Sequence, residues 1–176
     1  PVRLLSSFSY AAGHGLNGSI TMTPDSISLN GPESILDTIQ FVLTKLLQKK
    51  ELNTSINEIL EIQGFTSESN VRFQQNKVLI SALVERFTEG TIEVPFIVVN
   101  LPKGKTINTF PKLVKITYKV ALSEFNKINI SSFSIECDYK LSQENNLSYL
   151  IPKLVEKSSM IKNLRFSPLK IDFIIN

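Results

Sequence analysis

The sequence predicts an α+β fold: one globular domain over residues 1–176, with a mainly antiparallel sheet packed against about three helices. Two observations carry that expectation. Several segments alternate apolar and polar residues with a period of two, while others repeat apolar residues at helical spacing. The two kinds do not alternate regularly along the chain, which argues against a parallel α/β layout. A chain of 176 residues, 42% hydrophobic and 20% charged, can bury a proper core as one domain.

The first element is a β-prone segment from Val2 to Tyr10, and it runs into Gly13-His14-Gly15-Leu16-Asn17-Gly18. That hexapeptide matches a dinucleotide-binding fingerprint letter for letter. The fingerprint works only if a helix leaves the glycines, because the helix N-terminus holds the pyrophosphate. Here Ser19-Ile20-Thr21-Met22-Thr23 alternates and Pro24 follows, so a second strand leaves instead. We therefore read a hairpin with His14 solvated at its tip.

Gly31-Pro32-Glu33 then opens a long helix, with Ile35, Leu36, Ile39, Leu43, Leu46 and Leu47 on its apolar face and Lys45, Lys49 and Lys50 near its C-terminal end. Ser55-Ile56-Asn57-Glu58 is a capping box for a short second helix through Leu60, with Gly64 as its stop. Residues 65–77 read as a loop with a short strand. Val78 to Phe87 suits either a strand or a helix. A turn at Glu89-Gly90 favours the strand, in a hairpin with Thr91–Val99 whose Pro95 suggests an edge or a bulge.

Leu101 to Pro111 is a loop bracketed by prolines. The clearest strand follows, with Val114, Ile116, Tyr118, Val120 and Leu122 inward and Lys115, Thr117 and Lys119 outward. A turn near Asn126 returns the chain through Phe133, Ile135, Cys137, Tyr139 and Leu141, with Ser134, Glu136, Asp138 and Lys140 on the other face. Leu147, Leu150, Ile151, Leu154, Val155 and Ile161 mark a third helix, which Pro152 either kinks or begins. Leu169, Ile171, Phe173 and Ile175 alternate in a terminal strand.

Composition excludes much chemistry. With one histidine, no multi-histidine metal site can form, and a Ser-His-Asp triad would have to pass through His14, which has no acid nearby in sequence. One cysteine, Cys137, rules out an internal disulfide and any CxxC metal site, and its place in an alternating strand suggests a buried, inert thiol. No P-loop, G-x-S-x-G or H-E-x-x-H occurs. The lack of an RNP-like motif and the mere four arginines give no support to a nucleic-acid module of known type. No apolar run is long enough for a membrane helix, and no basic-then-apolar signal pattern opens the chain, so a non-secreted product is expected. We expect no catalytic site, no cofactor and no small-molecule substrate.

Charge is uneven. Residues 1–100 hold seven Lys/Arg against ten Asp/Glu; residues 101–176 hold twelve against six. Lys103, Lys105, Lys112, Lys115, Lys119 and Lys127 face Glu124 alone within 101–127. Such a face attracts phosphates of nucleic acid or anionic lipid headgroups. The alternative is a solvated lysine face, and pairing of the 114–122 and 133–141 strands would set acids against Lys115 and Lys119.

In element order and size the chain resembles a rhabdovirus matrix protein of the short plant cytorhabdovirus type. The strand Leu4–Tyr10, the long helix Ile35–Leu47, the loop Leu101–Pro111, the sheet pair Val114–Leu141, the helix Leu147–Leu164 and the end strand carry the resemblance. It departs from the animal-virus members in lacking a lysine-rich N-terminal tail and any P-P-x-Y or P-T-A-P motif. The resemblance implies a structural protein of the virion and host cytoplasm that self-associates, binds the viral nucleocapsid and contacts an anionic membrane surface. On that reading Lys103, Lys105, Lys112, Lys115 and Lys119 form the nucleocapsid or lipid contact, and Leu4, Leu5 and Phe8 mediate self-association. Two other readings stand beside it: a small monomeric adaptor that binds a protein or acidic ligand, and an enzyme with a site assembled from scattered residues.

Overall fold

A computed structural model describes residues 1–66 and 70–176 of the chain. It is 52% strand and 11% helical, so the expected α+β fold is corrected to a β-rich one. The chain divides into two compact units, Pro1–Arg86 and Phe87–Asn176.

In the first unit the N-terminal strands β1 (Val2–Arg3) and β2 (Ser6–Tyr10) run parallel to β6 (Val42–Leu43) and β7 (Leu47–Leu52). The long helix expected over Ile35–Leu47 is therefore absent. A single turn, α1 (Glu33–Leu36), follows Pro32 and stops. The residues beyond it include Thr38, Ile39, Phe41, Val42 and Thr44, β-branched or aromatic types that fit a pleated surface better than a helix. Val42 donates to the Pro1 carbonyl and Thr44 to the Arg3 carbonyl at 3.1 Å each, so pairing with the N-terminal strand overrides the helical spacing.

The expected second helix is the strand β8 (Ile56–Glu61). Ser55 does not cap a helix; its Oγ accepts the Val84 N–H at 3.1 Å. Antiparallel pairing then sets β10 (Lys77–Ala82) between β8 and β4 (Thr21–Thr23), and β5 (Leu29–Asn30) pairs with β9 (Arg72–Phe73). The expected 65–77 loop lies partly outside the described residues. Val2, Val42, Leu47, Ile56, Ile62, Val78, Ile80 and Ala82 form this unit's core.

The glycine hexapeptide is followed by strand, as expected, but it is not the tip of a hairpin. β3 (His14–Leu16) lies within it and pairs antiparallel with Val84–Arg86, while the flanking strands β2 and β4 join other partners. The positive φ values fall at Gly13 (74°) and Gly18 (84°), one at each end of β3. His14 is half-buried opposite Arg86, which corrects the solvated tip.

The expected Glu89-Gly90 turn is also absent. β11 (Val84–Pro95) runs straight through it, and its 87–95 stretch pairs antiparallel with β14 (Leu113–Ala121). Chain reversal fails there because Gly90 serves another purpose. An added Cβ would lie 2.5 Å from the Tyr118 ring and 2.9 Å from Phe125, so only glycine leaves room for the aromatic opposite.

β14 carries Val114, Ile116, Tyr118 and Val120 inward, as expected, whereas Leu122 is exposed in a 3-10 turn, Leu122–Lys127. β14 does not pair with the 133–141 segment. Its second partner is β18 (Leu164–Ser167). β15 (Phe133–Asp138) lies instead between β12 (Ile97–Val99), to which it is parallel, and β17 (Pro152–Lys157). Asp138 ends that strand by capping α2 (Tyr139–Glu144), accepting the Lys140 and Leu141 N–H groups, so Tyr139 and Leu141 are helical.

The expected helix over Leu147–Leu164 is strand as well: β16 (Tyr149–Leu150), β17 and the start of β18. Leu150 and Pro152 are buried and Leu154 half-buried, which is a period of two. Pro152 sits at the first residue of its strand, where a missing N–H costs least. β19 (Ile171–Ile175) closes the unit between β16 and β13 (Ile107–Phe110), a strand within the expected loop. The core here comprises Val94, Val114, Ile116, Tyr118, Val120, Phe133, Ile135, Cys137, Leu150, Ile161 and Ile171.

Candidate functional site

The five lysines read as a contact surface occupy three settings in the second unit. Lys103 and Lys105 flank Gly104 at the tip of a turn. The Lys105 N–H donates to the Pro102 carbonyl at 3.2 Å, and Gly104 has φ +77°, the left-handed value the third position of a type II turn requires. Both lysines are exposed. Thr106 and Asn176 then exchange backbone hydrogen bonds at 3.1 and 3.0 Å, which begins the β13–β19 ladder.

Lys112 lies at the far end of β13. At about 3.3 Å per residue, the strand places it on the order of 20 Å from Lys105. The three lysines are thus spread along one ribbon and do not form a single cluster. The ribbon is made of two ladders separated by a bend. Phe110 pairs with Asp172 at the end of β13, Lys115 pairs with Ser167 on β14, and the two strands advance by equal numbers of residues between those pairs. The ladder breaks between them because Pro111 and Pro168 lack an N–H to donate. Lys112, Leu113, Leu169 and Lys170 lie between those two pairs, and Leu113 itself pairs with Pro95 on β11.

Lys115 and Lys119 are placed differently. They project from the outer face of β14, Lys115 exposed and Lys119 half-buried. The acids expected to oppose them, Glu136 and Asp138, lie on β15 in another sheet. Across the ladder stand Glu93 and Glu89 instead, paired with Lys115 and Lys119 respectively. Glu89 also lies 3.8 Å from Arg165 on β18. Opposite charges therefore alternate over this face, which lowers its net field. No acid stands as ladder partner to Lys103, Lys105 or Lys112, and among the described residues none of the five lysines forms an ion pair.

The segment read as self-associating is divided. Leu4 and Phe8 pack on the core of the first unit, while Leu5 is exposed and its N–H donates to Thr44 Oγ1 at 3.0 Å. Cys137 is fully buried, and burial pushes its thiol up to about 11 from 9.0. Among the described residues, no group of three or more His, Cys, Asp or Glu is placed to hold a metal ion.

Sequence reasoning missed Phe110, Leu113, Leu169 and Lys170 as surface residues. The signal was present in Pro111-Lys112-Leu113 and Pro168-Leu169-Lys170, near-mirror tripeptides on antiparallel strands. Comparison with protein-family models, curated proteins and solved structures finds no match to this chain.

Proposed function

We propose that this chain is a non-enzymatic, matrix-like structural protein of the virion and host cytoplasm, which self-associates and bridges the viral nucleocapsid to an anionic membrane. The observation that carries the reading is the contrast between two sets of lysines. Lys115 and Lys119 stand across the β11–β14 ladder from Glu93 and Glu89, whereas Lys103, Lys105 and Lys112 are exposed along a ribbon with no acid as ladder partner; among the described residues none of the five forms an ion pair. The unit that carries the ribbon holds twelve Lys/Arg against eight Asp/Glu, a net positive charge to which these lysines contribute. Fixed positive charge at an exposed edge attracts phosphate-bearing surfaces and steers their approach.

Self-association falls to the N-terminal segment, where Leu5 is the side chain left outside the core. Co-sedimentation with purified nucleocapsid filaments and with phosphatidylserine-containing liposomes, over a salt series, tests the binding half. Each lysine near an anionic surface contributes about 1 kcal/mol, so Lys103→Glu/Lys105→Glu/Lys112→Glu should weaken both interactions by well over tenfold. Lys115→Gln/Lys119→Gln should change them far less. Equal binding by the triple variant and the parent at low salt would remove the main physical support for this reading.

A further inference from the structure

We infer that the elbow of the ribbon is a lipid-inserting wedge, with Phe110, Leu113 and Leu169 entering the acyl-chain boundary of an anionic bilayer while Lys112 and Lys170 hold the headgroups. Three large apolar side chains crowd this bend although solvent reaches them freely: Leu169 is 66% exposed, Phe110 55% and Leu113 42%. Scattered exposed apolar residues are ordinary, but a contiguous group marks a contact site. Leu113 lies two residues before Lys115 and Leu169 two residues after Ser167, the ladder partner of Lys115, and Phe110 ends the adjoining arm. Ile174, 57% exposed, extends the apolar surface along β19 on the same outer face as Phe110, next to the pairing of Asn108 with Ile174.

Charge decides the occupant. Lys112 and Lys170 flank the apolar tip, Lys103 and Lys105 continue the positive edge, and Asp172 is the acid on this outer face of the arm. Apolar residues at a tip with lysines at its shoulders complement a bilayer whose headgroups are negative and whose interior is apolar. An RNA–protein filament would satisfy the lysines but would leave the leucines in water. Lys170 is positioned for the task, with its Nζ 4.4 Å from the centroid of the Tyr149 ring. The ladder is interrupted at Pro111 and Pro168, next to both tripeptides.

This inference rests on the lipid half of the proposed function and goes further by specifying insertion. The chain has no tryptophan, so Leu169→Trp installs a unique fluorophore at the tip, and Phe110→Trp supplies a second variant if the first does not melt like the parent. The probes are vesicles of phosphatidylcholine alone and of phosphatidylcholine with phosphatidylserine, each with and without brominated acyl chains. The expected result is a blue shift and bromine quenching with the anionic vesicles only, and Leu113→Ser/Leu169→Ser should weaken partitioning by about tenfold. Co-sedimentation with anionic vesicles but an unshifted, unquenched tryptophan would overturn insertion and leave the lysine contact standing. Failure to co-sediment with vesicles would overturn both. A blue shift that grows with protein concentration in the absence of lipid would assign the patch to a second copy and overturn the inference.

Discussion

Gly90 lies directly across the β11–β14 ladder from Tyr118, and the ring occupies the space that a side chain at position 90 would need. The Tyr118 ring in turn lies 6.4 Å from Phe125 and 5.6 Å from Phe133, centroid to centroid. A Cβ at Gly90 would therefore push against a packed aromatic group and not against a free tip.

Gly90→Ala should destabilise the protein by about 1–3 kcal/mol, as overpacking does. Gly90 is not in the positive-φ region, so in open space the same change would stabilise by about 0.4–1 kcal/mol through the unfolded chain. Urea unfolding distinguishes the two by sign alone. A stabilised alanine variant would mean the ring does not sit over residue 90.

Truncation separates the strand account of the first unit from the helical one. Ile80→Ala removes a fully buried side chain and should cost about 2–5 kcal/mol. Leu46 belonged to the apolar face of the expected helix, yet it is 56% exposed, so Leu46→Ala should cost less than about 0.5 kcal/mol. A loss at Leu46 comparable with that at Ile80 would restore the helix.

Cys137 should resist thiol reagents at pH 8 until the protein unfolds, since its Sγ is buried and its ionisation is suppressed. The linkage has a definite sign. Burial raises the folded-state value to about 11 from 9.0, so the folded form retains the proton that the unfolded form has lost. Stability from this group is fully present below pH 9 and falls as pH rises through 11. Denaturant midpoints of parent and Cys137→Ala over pH 8–11 test it: the parent should lose more stability than the variant across that window.

How much was legible in the sequence depended on whether local period or distant pairing decided each segment. Val114, Ile116, Tyr118 and Val120 alternate so strictly that both strand and facing followed from the residues. Leu43, Leu46 and Leu47 satisfy helical spacing equally well, and only the parallel N-terminal strand selects the extended form. Ser55-Ile56-Asn57-Glu58 has the letters of a capping box, but Ser55 is taken by Val84, far along the chain. Pro152 was visible as a helix problem, and its use as a strand's first residue depends on β15 beside it. The lysines of the candidate site were legible because charge needs no pairing to be counted. Which of them face acids was not, because the acids opposite Lys115 and Lys119 come from β11, a strand expected to turn back at Glu89-Gly90. The exposed leucines were hidden for the same reason: only the long-range pairing of Phe110 with Asp172 and of Lys115 with Ser167 brings the stretches that carry Leu113 and Leu169 to one bend.

The proposed bridging role is tested most directly by flotation of nucleocapsid filaments with phosphatidylserine-containing liposomes in a density gradient, with and without this protein. With the protein present, filaments should rise with the vesicles at low salt and sink as salt screens the lysines. Lys103→Glu/Lys105→Glu/Lys112→Glu should leave them at the bottom of the gradient. Filaments that stay at the bottom in the presence of folded parent protein, whatever the salt, would contradict the account.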